Sequence, residues 1–160
     1  MKMPRKLLSR MSRYGLVALA VIAFGSFAPA ADVALVSLKN SRTAAVNSSD
    51  LVKIIKTTHK WSDGRDLLVV LTDPSSPEMR VVAEKLLSLT TGDFRRSIEA
   101  ANRGRVVFVV VASDDEALKM LQSNPGAVAL VNVYSINSSI DVWKIDGRLP
   151  LEHAYLLHSQ

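Results

Sequence analysis

Three groups of residues in this 160-residue chain carry side chains that could do chemistry: the turn Thr72-Asp73-Pro74-Ser75-Ser76-Pro77-Glu78, the acidic run Asp114-Asp115-Glu116, and His59, His153 and His158. The histidines have no metal-ligand spacing with one another or with a pair of carboxylates, so they read as surface or tail residues. The acidic run follows Ser113 at the start of a helical pattern. There the charges complement the helix dipole without any ion, a Ca²⁺ site being the alternative. In the turn, Ser76 can cap a helix whose first residue is Pro77, and Glu78 then falls in the first turn. No Gly-x-Ser-x-Gly elbow, phosphate-cradling glycine loop or His-Glu-x-x-His is present. The chain has no cysteine, which removes thiol catalysis, thiolate metal sites and disulfides together. These residue types point to non-catalytic binding or association with no cofactor and no metal.

The elements that would position these groups alternate. Val33 to Val36, Leu67 to Leu71, Val106 to Val111 and Ala127 to Val131 are short, continuous apolar runs rich in β-branched residues, the pattern of strands buried on both faces. Between them lie helical patterns. Asn47-Ser48-Ser49-Asp50 leads into Leu51, Ile54 and Ile55 and fades near Thr57 to Lys60. Pro77 to Leu89 puts Met79, Val82, Ala83, Leu86 and Leu87 on one stripe, and a shorter helix covers about Asp93 to Ala101. Ser113 to Glu116 is a capping box for a helix carrying Ala117, Leu118 and Leu121, which Asn124-Pro125-Gly126 stops. An extended piece from Asp141 to Ile145 precedes the turn Asp146-Gly147-Arg148, and the tail through Leu149, Leu151, Tyr155 and Leu157 is expected to pack along the surface. Trp61 is expected against the edge of the sheet with its indole N–H on a carbonyl, and Trp143 in an edge strand. Both rings exposed on one face would mark a protein-protein patch. Strands alternating with helices of these lengths predict an α/β fold, with a mixed, mainly parallel sheet flanked by helices.

The first thirty residues differ from the rest. A basic stretch to Arg13, an apolar stretch from Tyr14 to Phe27 and Ala28-Pro29-Ala30 follow the order of a cleaved signal peptide, leaving one domain over 31–160. The apolar stretch is shorter than the roughly 20 residues a bilayer span requires, so no stable membrane insertion is expected. The whole chain is formally +5, but five of its 20 basic residues lie in this leader, which leaves 15 against 15 acidic ones. The remaining basic residues are scattered among carboxylates, so no nucleic acid is expected as a partner.

Two stretches taken together resemble the periplasmic phosphate-binding proteins of ABC transporters, and in particular short relatives similar to their second lobe alone. The first is Ser48-Ser49-Asp50-Leu51-Val52-Lys53-Ile54-Ile55-Lys56 followed by Trp61-Ser62-Asp63-Gly64, and the second is Ser113 to Leu118 through Asn124-Pro125-Gly126-Ala127-Val128-Ala129-Leu130-Val131. Ile145-Asp146-Gly147 with Pro150 is similar to the family's closing segment. The resemblance covers roughly residues 33 to 150 and implies a single periplasmic-binding-protein-like lobe in the periplasm. It also implies a weakly held phosphate or similar oxyanion, with an ABC transporter membrane component or another envelope protein as partner. The family's anion-binding loop corresponds to Thr72 to Glu78, making Asp73, Ser75 and Ser76 the candidate ligand-binding residues. A strand running into a helix offers main-chain N–H groups there, and the serines add two hydroxyls. The loop departs from the family at Pro77, which stands where a Thr is usual and has no N–H, at Glu78, which competes for the dipole, and at Val70 to Thr72, where a basic residue is missing. A lobe that has kept the scaffold and lost the solute, acting as a periplasmic protein-protein interaction module, is the alternative.

Overall fold

The computed structural model describes residues 31–40 and 45–159, and the signal peptide read at 1–30 lies outside them. Strand β1 is Val33–Leu38, β2 Ala45–Val46, β3 Val69–Leu71, β4 Phe108–Val110, β5 Val128–Asn132, β6 Ile140–Val142 and β7 Lys144–Ile145. Helix α1 is Ser48–Lys53 and continues as a π-helical segment Ile54–Thr58. Helix α2, Pro77–Val81, continues in the same way over Val82–Leu86, and α3 is Thr91–Ala101 and α4 Asp114–Ser123.

Five strands form one sheet in the order β4-β3-β5-β1-β6, while β2 and β7 pair separately and in parallel. Strand β3 is parallel to both β4 and β5, whereas β1 is antiparallel to β5 and to β6. Four of the five strands therefore run the same way and β1 alone runs against them, which is the α/β fold with a mixed, mainly parallel sheet.

Alternation along the strands decides the layers. Val33 and Leu35 of β1, Val69 and Leu71 of β3, and Val128 and Leu130 of β5 belong to one core with Leu51, Met79, Val82, Phe94 and Ile98 from the helices α1, α2 and α3 and their extensions. Ala34 and Val36, Val70, and Ala129 and Val131 point the other way and meet Ala117, Leu118 and Leu121 of α4. Ala34 and Ala129 on the second face let a single helix sit close to the sheet. Each fully buried Val or Leu contributes about 1.5–3 kcal/mol, so the three strands buried on both faces share the stabilising free energy with the helix side chains packed on them.

Several elements depart from expectation. The apolar run from Val106 to Val111 forms a strand only over Phe108–Val110, and that strand lies at the edge of the sheet with Val106 and Val110 exposed. Helix α1 starts without a side-chain cap from Asn47; the Ser48 N–H donates instead to Asp146 Oδ1 at 2.8 Å. Its π-helical extension closes at His59 in the left-handed region, φ 50°. Helix α3 begins two residues early because the Thr90 hydroxyl oxygen accepts from the Asp93 N–H. At α4, Ser113 caps as expected, but Glu116 Oε2 accepts from the Ala112 N–H, one residue before the cap.

The largest corrections concern the tryptophans and the tail. Trp143 is buried between β6 and β7, and Trp61 is buried against it with ring centroids 5.1 Å apart and planes at 41°. The Trp143 indole N–H donates to the buried Ser37 hydroxyl at 2.8 Å. Two rings packed into each other cannot serve as an exposed patch, so the protein-protein reading of these residues falls. The tail lies on the surface only in its first part, where Leu149 and Leu151 are exposed: Tyr155 and Leu157 are buried, and the Val33 N–H donates to the Leu157 carbonyl at 3.0 Å. Asp32, buried, pairs with Nδ1 of His158. The tail thus closes the first core beside β1.

Leu157→Ala is expected to lower the unfolding free energy by about 2–5 kcal/mol in urea denaturation, the usual cost of emptying a core leucine site. A tail merely resting on the surface would give less than about 0.5 kcal/mol.

Candidate functional site

The turn singled out in the sequence leaves β3 at its C-terminal end and runs into α2. Strands β3, β4 and β5 point the same way, so their C-terminal ends bring the 72–78 turn, the start of α4 and the segment after β5 to one rim, the usual place for a ligand in an open α/β sheet. Asp73 and Ser75 are exposed and Pro74 is buried beneath them.

Within the turn the donors already have partners. Asp73 Oδ1 accepts from the Ser75 main-chain N–H at 2.8 Å and from the Ser75 hydroxyl at 2.7 Å. The Ser76 N–H donates to the Asp73 carbonyl at 2.8 Å. Ser76 Oγ accepts from the Met79 N–H at 3.2 Å, making it the N-cap of α2, with Pro77 following. Asp73, Ser75 and Ser76 are thus brought together, with Asp73 accepting from the main-chain N–H groups of both serines and from the Ser75 hydroxyl. The Ser75 main-chain N–H, then its hydroxyl, hold the Asp73 carboxyl below the usual carboxylate range, and the charge of Arg95 adds to this.

Three residues the sequence left unassigned complete the rim. Arg95 of α3 places Nη2 3.7 Å from Asp73 Oδ1, an exposed pair that contributes little to stability. The Asn132 side-chain amide donates to Glu78 Oε1 at 3.1 Å, while the Asn132 main-chain N–H donates to Asp114 Oδ2 at 3.0 Å. Asp114 also accepts from the Ser135 hydroxyl at 2.7 Å. No signal in the sequence marks these contacts, since they join residues 18, 21 and 54 positions apart. The rim therefore gathers Asp73, Glu78, Asp114, Asp115 and Glu116, with Arg95 as the cation bound to the turn.

Elsewhere, a cavity of about 780 Å³ lies beside Trp61, walled by Val46, Asp50, Lys53, Ile54 and Lys60 among others, and none of its walls comes from the 72–78 turn. Among the described residues no cluster of three His, Cys, Asp or Glu side chains is placed to hold a metal ion, and no helix is long and apolar enough to cross a membrane.

The backbone as a whole superposes on solved proteins. An ABC-type phosphate transport receptor from Vibrio cholerae matches with a TM-score of 0.62 at 19% identity, over 81% of this chain and 54% of that one. PstS from Borrelia burgdorferi matches with a TM-score of 0.63 at 15% identity, over 82% of this chain and 55% of that one. The fold is that of the phosphate-binding proteins. A phosphate-binding protein from Stenotrophomonas maltophilia gives a TM-score of 0.60 at 15% identity over 76% of this chain and 40% of that one. The chain spans about half the length of the phosphate-binding proteins it matches. At these identities what is shared is the fold. No protein-family model matches the sequence, and no curated protein matches it.

Asp73 should titrate below the ordinary value of about 3.9 when its carboxyl carbon is followed by NMR. In Ser75→Ala it should rise yet stay below that value, because the main-chain N–H, the larger cause, remains. A folded pKa below the unfolded one stabilises above the unfolded pKa and is lost as pH falls through the folded value. The difference in unfolding free energy between the parent and Asp73→Asn should accordingly shrink below pH of about 4.

Proposed function

We propose that this chain is an exported, non-catalytic solute-binding-like lobe of the bacterial periplasm that takes phosphate or another small oxyanion at the 72–78 turn for an ABC transport system. The reading is supported by the fold it shares with phosphate-binding proteins and by the position of the turn at the C-terminal end of a central strand. One observation carries it: the Ser75 N–H and hydroxyl converge on a single carboxylate oxygen of Asp73. Donors aimed at one carboxylate oxygen can equally hold an oxygen of phosphate or sulfate, since both are anionic acceptors of similar reach. Solute must then take the place of the Asp73 carboxylate, with Arg95 as the nearby cation.

The same observation favours a second reading, an interaction module for an envelope protein. A dianion entering this rim meets Asp73 and Glu78, and Pro77 contributes no N–H. A lobe whose donors are held permanently by its own carboxylate would keep the scaffold and act through its surface.

A thermal-shift titration with phosphate and with sulfate separates the two. On the solute reading, Asp73→Ala frees both Ser75 donors and removes a like charge, so its shift at millimolar phosphate should exceed that of the parent. Losing one charge-assisted competitor corresponds to about 10- to 100-fold tighter binding. Stabilisation follows RT ln(1 + [L]/Kd), about 2.7 kcal/mol at 100 Kd. Asp73→Ala combined with Ser75→Ala should lose the gain. No response in any of these proteins would leave the interaction reading standing. Ser76→Ala should cost about 0.5–2 kcal/mol of stability with or without phosphate, because its hydroxyl caps α2.

A further inference from the structure

Strand β4 ends the five-stranded sheet, and its outer side offers hydrogen-bonding groups to whatever comes next. The parallel ladder with β3 fixes which groups those are. The Val69 N–H donates to the Val107 carbonyl and the Val111 N–H to the Leu71 carbonyl, so alternate residues face β3, and Phe108, Val110 and Ala112 turn their backbone outward. The side chains here are also apolar, with Val106 62% and Val110 49% exposed. Such an edge is a ready template for a second strand.

Two side chains from different helices occupy it. Asn102, the last residue capping α3, accepts with Oδ1 from the N–H groups of Val107 and Phe108, both at 2.9 Å, and donates from Nδ2 to the Phe108 carbonyl at 2.8 Å. Its carboxamide gives and receives as a neighbouring peptide group would. At the other end, Glu116 Oε2 of α4 accepts from the Ala112 N–H at 3.0 Å. Between them only Val110 presents an outward N–H and carbonyl.

We propose that Asn102 and Glu116 are edge guards: by taking the outward backbone groups at both ends of β4 they keep the sheet from extending onto β4 of a second copy of this chain. A continuous strand pairing needs several successive outward residues, and the guards leave one. The two residues reach the edge from α3 and α4, on opposite faces of the sheet, so the protection does not depend on a single helix staying docked.

Two measurements test this. In the unmodified protein at micromolar concentration, amide hydrogen exchange should show Phe108 and Ala112 protected and Val110 exchanging at least tenfold faster. A Val110 amide as protected as Ala112 would mean that the edge is already paired, and would overturn the proposal. In sedimentation velocity the parent should stay monomeric up to about 100 μM, while Asn102→Ala with Glu116→Ala should form dimers as concentration rises. Adding Val110→Pro, which removes the one remaining outward N–H without touching the bonds to β3, should restore the monomer. A folded double variant that remains monomeric, or an association that survives Val110→Pro, sinks the idea. Where circular dichroism shows the double variant unfolded, the exchange pattern of the parent decides alone.

Discussion

A sheet whose three central strands are buried on both faces has its polar backbone accessible only at the strand ends and at the outer edges, and that constraint shapes the rest of this protein. Within β1, β3 and β5 the N–H and C=O groups pair with neighbouring strands, because no water reaches them and an unpaired group would cost about 1–3 kcal/mol. Beyond the last paired residue the same accounting continues with side chains. Asp114 receives the N–H of Asn132, the last residue of β5, Asp141 Oδ2 the Asn40 N–H past β1, and Asp146 the Ser48 N–H at the start of α1. Asn102 and Glu116 do the same beside β4. Carboxylates and carboxamides thus serve the backbone at the sheet's ends and edge, besides the ion pairs that other acidic residues form at the surface.

This finishing role explains why the rim is acidic. A carboxylate accepts from main-chain N–H groups more strongly than a neutral oxygen does, and the ends of parallel strands and the starts of helices present N–H groups in numbers. Glu78 and Asp114 meet through Asn132, and Asp73 closes its own turn. The arrangement stabilises the fold, yet it uses up the electropositive character that makes a helix start attractive to a solute. Stability and anion affinity draw on the same donors at this rim.

How far the sequence reveals this depends on whether a feature is local. The strand cores around Leu35, Val70 and Leu130, the cap at Ser113 and the stop at Asn124-Pro125-Gly126 follow from periodicity and turn chemistry, and the structure has them in place. The edge position of β4 was not legible: Val106 to Val111 is as β-branched as any central strand, and only the chain crossing that puts β3 between β4 and β5 leaves it outside. The tail misled for a related reason. Tyr155 and Leu157 are isolated apolar residues without period, and their burial arises from pairing of Val33 with Leu157 across the whole chain. In the candidate site, Asp73, Ser75 and Ser76 were found as neighbours in sequence, but which of them receives and which gives was not. An Asp two residues before a Ser favours an Asx turn, and this local contact prevails over an external guest unless something displaces it.

The weight of that local contact can be bounded. Asp73 and Ser75 are two residues apart, so their encounter is intramolecular, with an effective concentration of millimolar or more. A solute whose donors are free only a fraction of the time has its dissociation constant divided by that fraction. A turn open about 1% of the time would make an intrinsic affinity of about 10 μM behave as about 1 mM. Nothing else in the described rim offsets this: Arg95 is exposed and already shared with Asp73, and Glu78 adds repulsion. On the proposed solute reading, holding an oxyanion at micromolar levels would therefore need positive charge beyond what the described rim supplies.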